Sequence, residues 1–236
     1  EIMPSLVGSE MCIRDSRIYH NFSVPGGIRS DVPQDFQSRT LDLTYRVEDL
    51  VKDVEKAVLG NRVFKRRTRG VGVIKGETAL RLGATGPVVR GGGLAYDVRK
   101  LAPYERYDSV NFEVPVGEVG DAYDRALVRF REVHESLKII RQATMEVRPG
   151  GPYRVKIPLT APPGRGYARV ESARGEYTVH VTSVGGRSPY RVRFKSPSMP
   201  LLTTVLDYII KNEEVTIADF PVVLASLDPC APDIDR

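Results

Sequence analysis

The chain has 236 residues, 41% of them hydrophobic and 28% charged, a composition that predicts a soluble globular protein of one or two domains with a sizeable core. Its 35 basic and 30 acidic residues leave a net charge of +5. The two signs are interspersed, so no basic tail or block marks a nucleic-acid partner. No apolar run approaches the roughly 20 residues needed to span a bilayer, so any membrane connection has to come through partner subunits or a surface patch.

The first sixteen residues, EIMPSLVGSEMCIRDS, fit nothing downstream and resemble the peptide made when a sequencing adaptor is translated in frame with a read. Residues 1–16 are therefore set apart as an expected artefact, as a tag would be, and 17–236 are read as one unit. On that expectation Cys12 does not count and Cys230 has no disulfide partner, which suits a reducing compartment. The natural protein is also expected to begin before Arg17, which makes 17–236 the C-terminal part of a longer domain.

YHNFSVPGGIRSDVPQDF places Pro25, Gly26, Gly27 and Pro33 in a loop. From about Gln37 to Leu59, Leu43, Val47, Leu50, Val51, Val54 and Val58 recur at helical spacing, and Gly60-Asn61 stops the pattern. A glycine-rich stretch follows, with one short helical piece around Thr78 to Leu82. A second long helix is expected from about Asp121 to Val147, with a stripe of Tyr123, Leu127, Phe130, His134, Leu137 and Ile140. After Pro163, YARVESA, GEYTVHVTS and YRVRFKS alternate polar with apolar residues and predict a three-stranded antiparallel meander. PLLTTVLDYIIK and TIADFPVVLASLD read as two short helices before the tail. The fold class is α+β: a helical body with a small antiparallel sheet.

Three histidines offer little chemistry. His134 falls on the apolar stripe of its helix and reads as core or interface, His180 as a sheet-surface residue, and His20 precedes a glycine turn. No pair has metal-ligand spacing. In GATGPVVRGGGLAYDVRK the backbone could cradle an anion beside Arg90, but the lysine and hydroxyl of a P-loop are missing. The preferred reading is that Gly91, Gly92 and Gly93 permit close backbone approach at a subunit surface or cavity wall, with Arg90, Asp97 and Arg99 in a charge network. NRVFKRRTRG reads as a solvated basic face, with an acidic partner or membrane surface as the alternative. Cys230, between Asp228 and Asp233, is a small buried residue unless three further soft or nitrogen ligands join it.

NFSVPGGIRSDVP, GNRVFKRRTRGVGV, ATGPVVRGGGLAYDVRK, PYERYDSVNFEVPVGEVGDAYDRALVRFREVHESLKIIRQ, ARGEYTVHV and SLDPCAPDIDR, taken in this order, resemble the D subunit of NADH-quinone oxidoreductase, which is the 49-kilodalton subunit of respiratory complex I. The resemblance runs from Arg17 to Arg236. It implies a fold shared with the large subunit of nickel-iron hydrogenases, whose C-terminal DPCxxC supplies two thiolates to the metal. Here the first thiolate position is Cys230 and the second is Asp233, whereas the quinone-type family usually carries an aliphatic residue at the first and an acid at the second.

The resemblance further implies a peripheral subunit at the cytoplasmic face of the cell membrane. Its expected partners in a complex I-like assembly are the iron-sulphur B subunit together with the C and the membrane H subunits, with no nucleic acid. Quinone would be the substrate, reduced in a cavity shared with the iron-sulphur partner and coupled to ion translocation. NADH would be used by the whole complex, the iron-sulphur cluster would sit on the partner, and this chain would hold no cofactor or metal of its own and be inactive alone. Asp228 and Asp233 carry over as catalytic candidates on the cavity wall, and Cys230, Arg90 and Gly91 as further cavity candidates. The alternatives are the large subunit of a membrane-bound hydrogenase-related complex that reduces protons or sulphur compounds, and a non-catalytic scaffold.

Overall fold

A computed structural model describes residues 22–158 and 160–234; the expectations about residues 1–16 and His20 fall outside them. Strands β1 (Ser23–Val24) and β2 (Gly27–Ile28) precede helix α1 (Phe36–Leu59). Helices α2 (Arg62–Thr68), α3 (Gly76–Arg81), α4 (Pro87–Gly91) and α5 (Val98–Leu101) lead to α6 (Ala122–Glu146). The sheet strands β3 (Gly164–Ser172), β4 (Gly175–Ser183) and β5 (Arg191–Lys195) come next. Helix α7 covers 198–212 in three segments, Ser198–Pro200, a π-turn at Leu201–Val205 and Leu206–Asn212, and is followed by α8 (Phe220–Leu227) and α9 (Ala231–Ile234).

The two long helices run antiparallel, and side chains set their register. Gln37 Nε2 donates to the carbonyls of Thr144 and Val147 at 3.2 and 2.7 Å. Arg141 Nε donates to Thr44 Oγ1 at 3.1 Å, while its Nη2 pairs with Glu48. Further along, His134 Nε2 lies 3.1 Å from Glu55 Oε2, which puts this histidine at a helix interface. Because Thr44, Glu48 and Glu55 make this seam, the apolar row expected on α1 is only partly covered. Leu43, Leu50 and Val54 remain 58%, 64% and 43% exposed.

The core lies to one side of that pair. Ile74, Ala79, Ala84, Val88 and Val89 pack with Leu201, Val205 and Ile209 of α7 and with Val223 and Leu227 of α8. Each of the valine, leucine and isoleucine side chains contributes about 1.5–3 kcal/mol of burial. Thr204 Oγ1, 2.7 Å from the Leu82 carbonyl, ties the π-turn to the end of α3.

Two stretches read as loops are helical. Gly86 at φ 72° hands the chain to Pro87, whose fixed φ suits the first turn of α4; Asp97 caps α5 by accepting from Arg99 N at 2.9 Å. The basic run forms α2 under an Asn61 cap that accepts from Val63 N and Phe64 N at 2.8 and 3.2 Å. Lys65, Arg66 and Arg67 fall in its last turn, where the carbonyl end of the helix favours them. The meander forms as expected, in the order β3-β4-β5, antiparallel throughout.

Candidate functional site

Helix α8 ends in Asp228, a non-glycine residue in the left-handed region at φ 53°, a conformation that the short polar side chain of aspartate tolerates. Two arginines from other elements reach it. Arg174, in the β3–β4 turn, donates from Nε to the Asp228 carbonyl at 3.0 Å and from Nη2 to Oδ1 at 3.3 Å. Arg129 of α6 brings Nε to 4.0 Å from Oδ2. That nitrogen is buried and, among the described residues, has no hydrogen-bond partner. Burial holds the Arg129 guanidinium below its usual range, Asp228 and Glu132 oppose the shift, and the charges of Arg174 and Arg90 add to it.

A buried guanidinium underlies this pair. Arg125 donates from Nη1 to the carbonyls of Gly72 and Gly120 at 2.9 and 2.8 Å, and from Nη2 to Ser226 Oγ at 2.8 Å. Burial, reinforced by Arg129, pulls it down to about 9. Asp228 and Arg129 together face a cleft of about 470 Å³ whose other walls are mainly apolar, among them Phe64, Ala126, Pro221 and Val222. Asp228 itself is not buried, since 42% of its side chain is exposed.

Beyond Asp228 the tail turns away. Cys230 N donates to Ser198 Oγ at 3.2 Å, Ser198 N to Ser196 Oγ at 3.0 Å, and Ser196 Oγ to Asp233 Oδ2 at 2.5 Å. Asp233 N and Ile234 N both donate to the Cys230 carbonyl at 3.2 Å. The three tail candidates therefore divide. Asp228 belongs to the arginine pair and the apolar cleft, Asp233 is bound at the corner between β5 and α7, and the half-buried Cys230 lies on the strap between them.

Arg90 and Gly91 are interior. Arg90 is 1% exposed and donates from Nε to Glu132 Oε1 at 2.5 Å and from Nη1 to Tyr96 O at 2.9 Å and Glu171 Oε1 at 2.8 Å. Asp97, 3.6 Å from Arg90, is bound twice by Arg99 at 3.0 and 2.7 Å. Burial works against the charge on Arg90, but Glu132 and Glu171 outweigh it and hold the group above its usual value. The charge network is thus present, and its occupied guanidinium is not free to complete an anion nest. Two of the glycines make a close approach within the chain: a Cβ on Gly91 would lie 2.9 Å from Arg125 Cγ, and one on Gly92 would lie 2.2 Å from Gly76 N, whereas Gly93 is exposed. Neither Arg90 nor Gly91 lines the clefts beside the tail.

Reading the sequence missed Arg129, Arg174, Ser196 and Ser198. The signal for Arg174 was its place in a tight turn; nothing local named its partner. Of the soft ligands a nickel-iron centre takes, the described residues offer one thiolate, Cys230, and among them no three His, Cys, Asp or Glu side chains converge. The described residues alone do not supply the donor set of such a centre.

The family model of the respiratory-chain NADH dehydrogenase 49 Kd subunit matches residues 11–165 and 154–236. The chain is 38% identical over 229 residues to the NADH-quinone oxidoreductase D subunit of Thermosipho melanesiensis, covering 94% of this chain and 61% of that protein. It is likewise 38% identical over 251 residues to NADH-quinone oxidoreductase subunit 4 of Thermus thermophilus, covering 95% and 60%. Among solved structures it is similar to a chain of the membrane-bound sulfane sulfur reductase, an archaeal respiratory membrane complex. That match has a TM-score of 0.85 and 37% identity, and covers 94% of this chain and 64% of the other. The chain thus spans about three-fifths of the length of the curated relatives it matches.

Proposed function

The chain belongs to the respiratory-chain NADH dehydrogenase 49 Kd subunit family, and on that premise we propose that it is the quinone-reducing subunit of a complex I-like NAD(P)H-quinone oxidoreductase. In this reading it sits peripherally at the cytoplasmic face of a membrane, against the iron-sulphur B subunit and the C and membrane H subunits. Among the described residues no helix is long and apolar enough to cross a membrane. NADH is oxidised elsewhere in the complex, electrons arrive from the partner's iron-sulphur cluster, and reduction is coupled to ion translocation.

The observation that carries this reading is Asp228, held by Arg174 and approached by Arg129 at an apolar cleft. Reducing a quinone to hydroquinone takes two electrons and two protons, and negative charge grows on the ring oxygens as electrons arrive before protons. Apolar walls with a few aimed polar groups suit a ring of this kind. The Arg129 guanidinium on the cleft wall stabilises the growing charge, and the Asp228 carboxylate, itself held by Arg174, orients it.

Asp228→Asn tests the role in the assembled complex. Asparagine also tolerates the left-handed backbone, so assembly is expected to persist while quinone reduction falls. Unchanged reduction with the complex intact removes Asp228 from the chemistry and favours a scaffold.

Cys230 favours a second reading. The chain is as similar to a chain of the sulfane sulfur reductase, at 37% identity, as to the quinone relatives, at 38%, and a thiol stands where the quinone-type family usually has an aliphatic side chain. Under this reading the acceptor is sulfane sulfur. Assaying the same complex with a soluble quinone and with an organic trisulfide separates the two.

A further inference from the structure

Alternation along the three paired strands gives the sheet two unlike faces. The register sets Tyr167 beside His180 and Arg193, Arg169 beside Thr178 and Lys195, and Thr182 between Arg165 and Arg191. On the opposite face lie Ala168, Val170, Tyr177, Val179, Val181, Val192 and Phe194. The first face therefore carries five formal cations, three of them at every second position of the exposed β5. Among the described residues only Arg169 of these five has an ion pair, with Glu176 at 3.9 Å. Glu176 is buried and also accepts from the Tyr96 hydroxyl at 2.5 Å. Arg165, Arg191, Arg193 and Lys195 are left as an uncompensated field. A cleft of about 630 Å³ runs beside them, with Tyr167, His180, Arg193, Lys195, Met199 and Ile234 among its walls.

We propose that this basic face and its cleft are the docking surface for an acidic, extended segment of a partner subunit. Charge complementarity is the first reason, because unpaired cations concentrated on one face select an acidic partner and steer it in. Geometry narrows the partner to an extended polypeptide. Alternate residues of a strand are about 6.8 Å apart, so Arg191, Arg193 and Lys195 match carboxylates at alternate positions of a second extended chain. Among the described residues β5 pairs only with β4, which leaves its outer backbone edge open to such a chain. Met199 and Ile234 supply apolar wall for the residues between the acids. A lipid surface would contact protruding side chains, whereas Arg193 and Lys195 line a cleft. Ile234 lies next to Asp233, so a docked segment would also cover the end of the tail.

The proposal rests on the reading of this chain as a subunit of a larger assembly, and the test separates the two. The complex is expressed with a tag on this chain, as wild type, as the triple variant Arg191→Glu, Arg193→Glu, Lys195→Glu, and as the control Arg39→Glu, Arg46→Glu on exposed α1. Recovery of partner subunits is expected to fall about tenfold or more in the triple variant and to hold in the control. Circular dichroism of the purified chain checks that the triple variant is folded. Zero-length carbodiimide coupling in the wild-type complex is expected to join Lys195 to a partner's aspartate or glutamate. Normal assembly of the triple variant, together with no coupling of Lys195 in the wild-type complex, overturns the proposal and leaves the assembly reading standing. Wild-type chain recovered without any partner overturns the assembly reading itself. Lys195-dependent binding of the chain to phosphatidylcholine–phosphatidylglycerol vesicles, without a coupled partner peptide, assigns the face to lipid and also overturns the proposal.

Discussion

Arg174 holds Asp228 by both main chain and side chain, with Nε 3.0 Å from the carbonyl and Nη2 3.3 Å from Oδ1. One guanidinium thus joins the β3–β4 turn to the end of α8, using the forked donor geometry that a lysine lacks. Arg174→Lys keeps the charge and loses the second contact. It is expected to lower acceptor reduction by the assembled complex about tenfold, the loss associated with a mis-set charged hydrogen bond, while partner subunits are retained. Arg174→Ala is expected to cost the chain only about 1 kcal/mol in urea unfolding, because both side chains are partly exposed. A larger stability loss that tracks the loss of activity would mean that Arg174 acts through folding alone.

What could be foreseen and what could not differ by the distance over which the information is written. The strands β3, β4 and β5 show in alternation over five to nine residues, and α1 and α6 in periodicity over 24 and 25. α4 and α5 have five and four residues, too few for a period to emerge, and the glycines at the end of α4 and on either side of it disguise it further. The pairing of Arg174 with Asp228 spans 54 positions, and the two glutamates that bind Arg90 lie 42 and 81 away. Only tertiary packing brings such groups together. The tail candidates were visible through resemblance, but their division was not: Ser196 and Ser198, ordinary residues at the corner between β5 and α7, draw Asp233 and Cys230 away from Asp228.

Glu171 gives the buried network a dependence on pH. Burial lifts its carboxyl above the usual 4.5, and Arg90 opposes that lift without cancelling it. The folded state therefore keeps this proton to higher pH than the unfolded chain does. Between 4.5 and the folded value the native form binds more protons, so stability contributed by this group declines as pH rises through that window and levels off above it. Glu171→Gln removes the titration and nearly keeps the shape. The stability difference, wild type minus variant, from urea unfolding at a series of pH values, is expected to shrink as pH rises from 4.5. A growing difference would show that Arg90 attracts the carboxylate more strongly than burial penalises it.

Gly92 tests whether close backbone approach, and not conformational freedom, accounts for the glycine run. Its φ of −81° is open to any residue, so an added methyl costs nothing in torsion. The same methyl would stand 2.2 Å from Gly76 N and 2.8 Å from the Ile74 carbonyl, both main-chain atoms that cannot swing aside. At Gly91 the nearest atom is the Cγ of Arg125, 2.9 Å away, on a long side chain but with its backbone close behind at 3.3 Å. Overpacking of this kind costs about 1–3 kcal/mol, and more where backbone must move. Gly91→Ala is expected to fall within that range in urea unfolding, and Gly92→Ala to exceed it, parting α3 from α4 and the residues Ile74, Ala79 and Val89 that pack there. Equal and small effects at the two positions would mean that the loop before α3 yields, and that the contact between Gly92 and Gly76 does not set the packing of this half of the core.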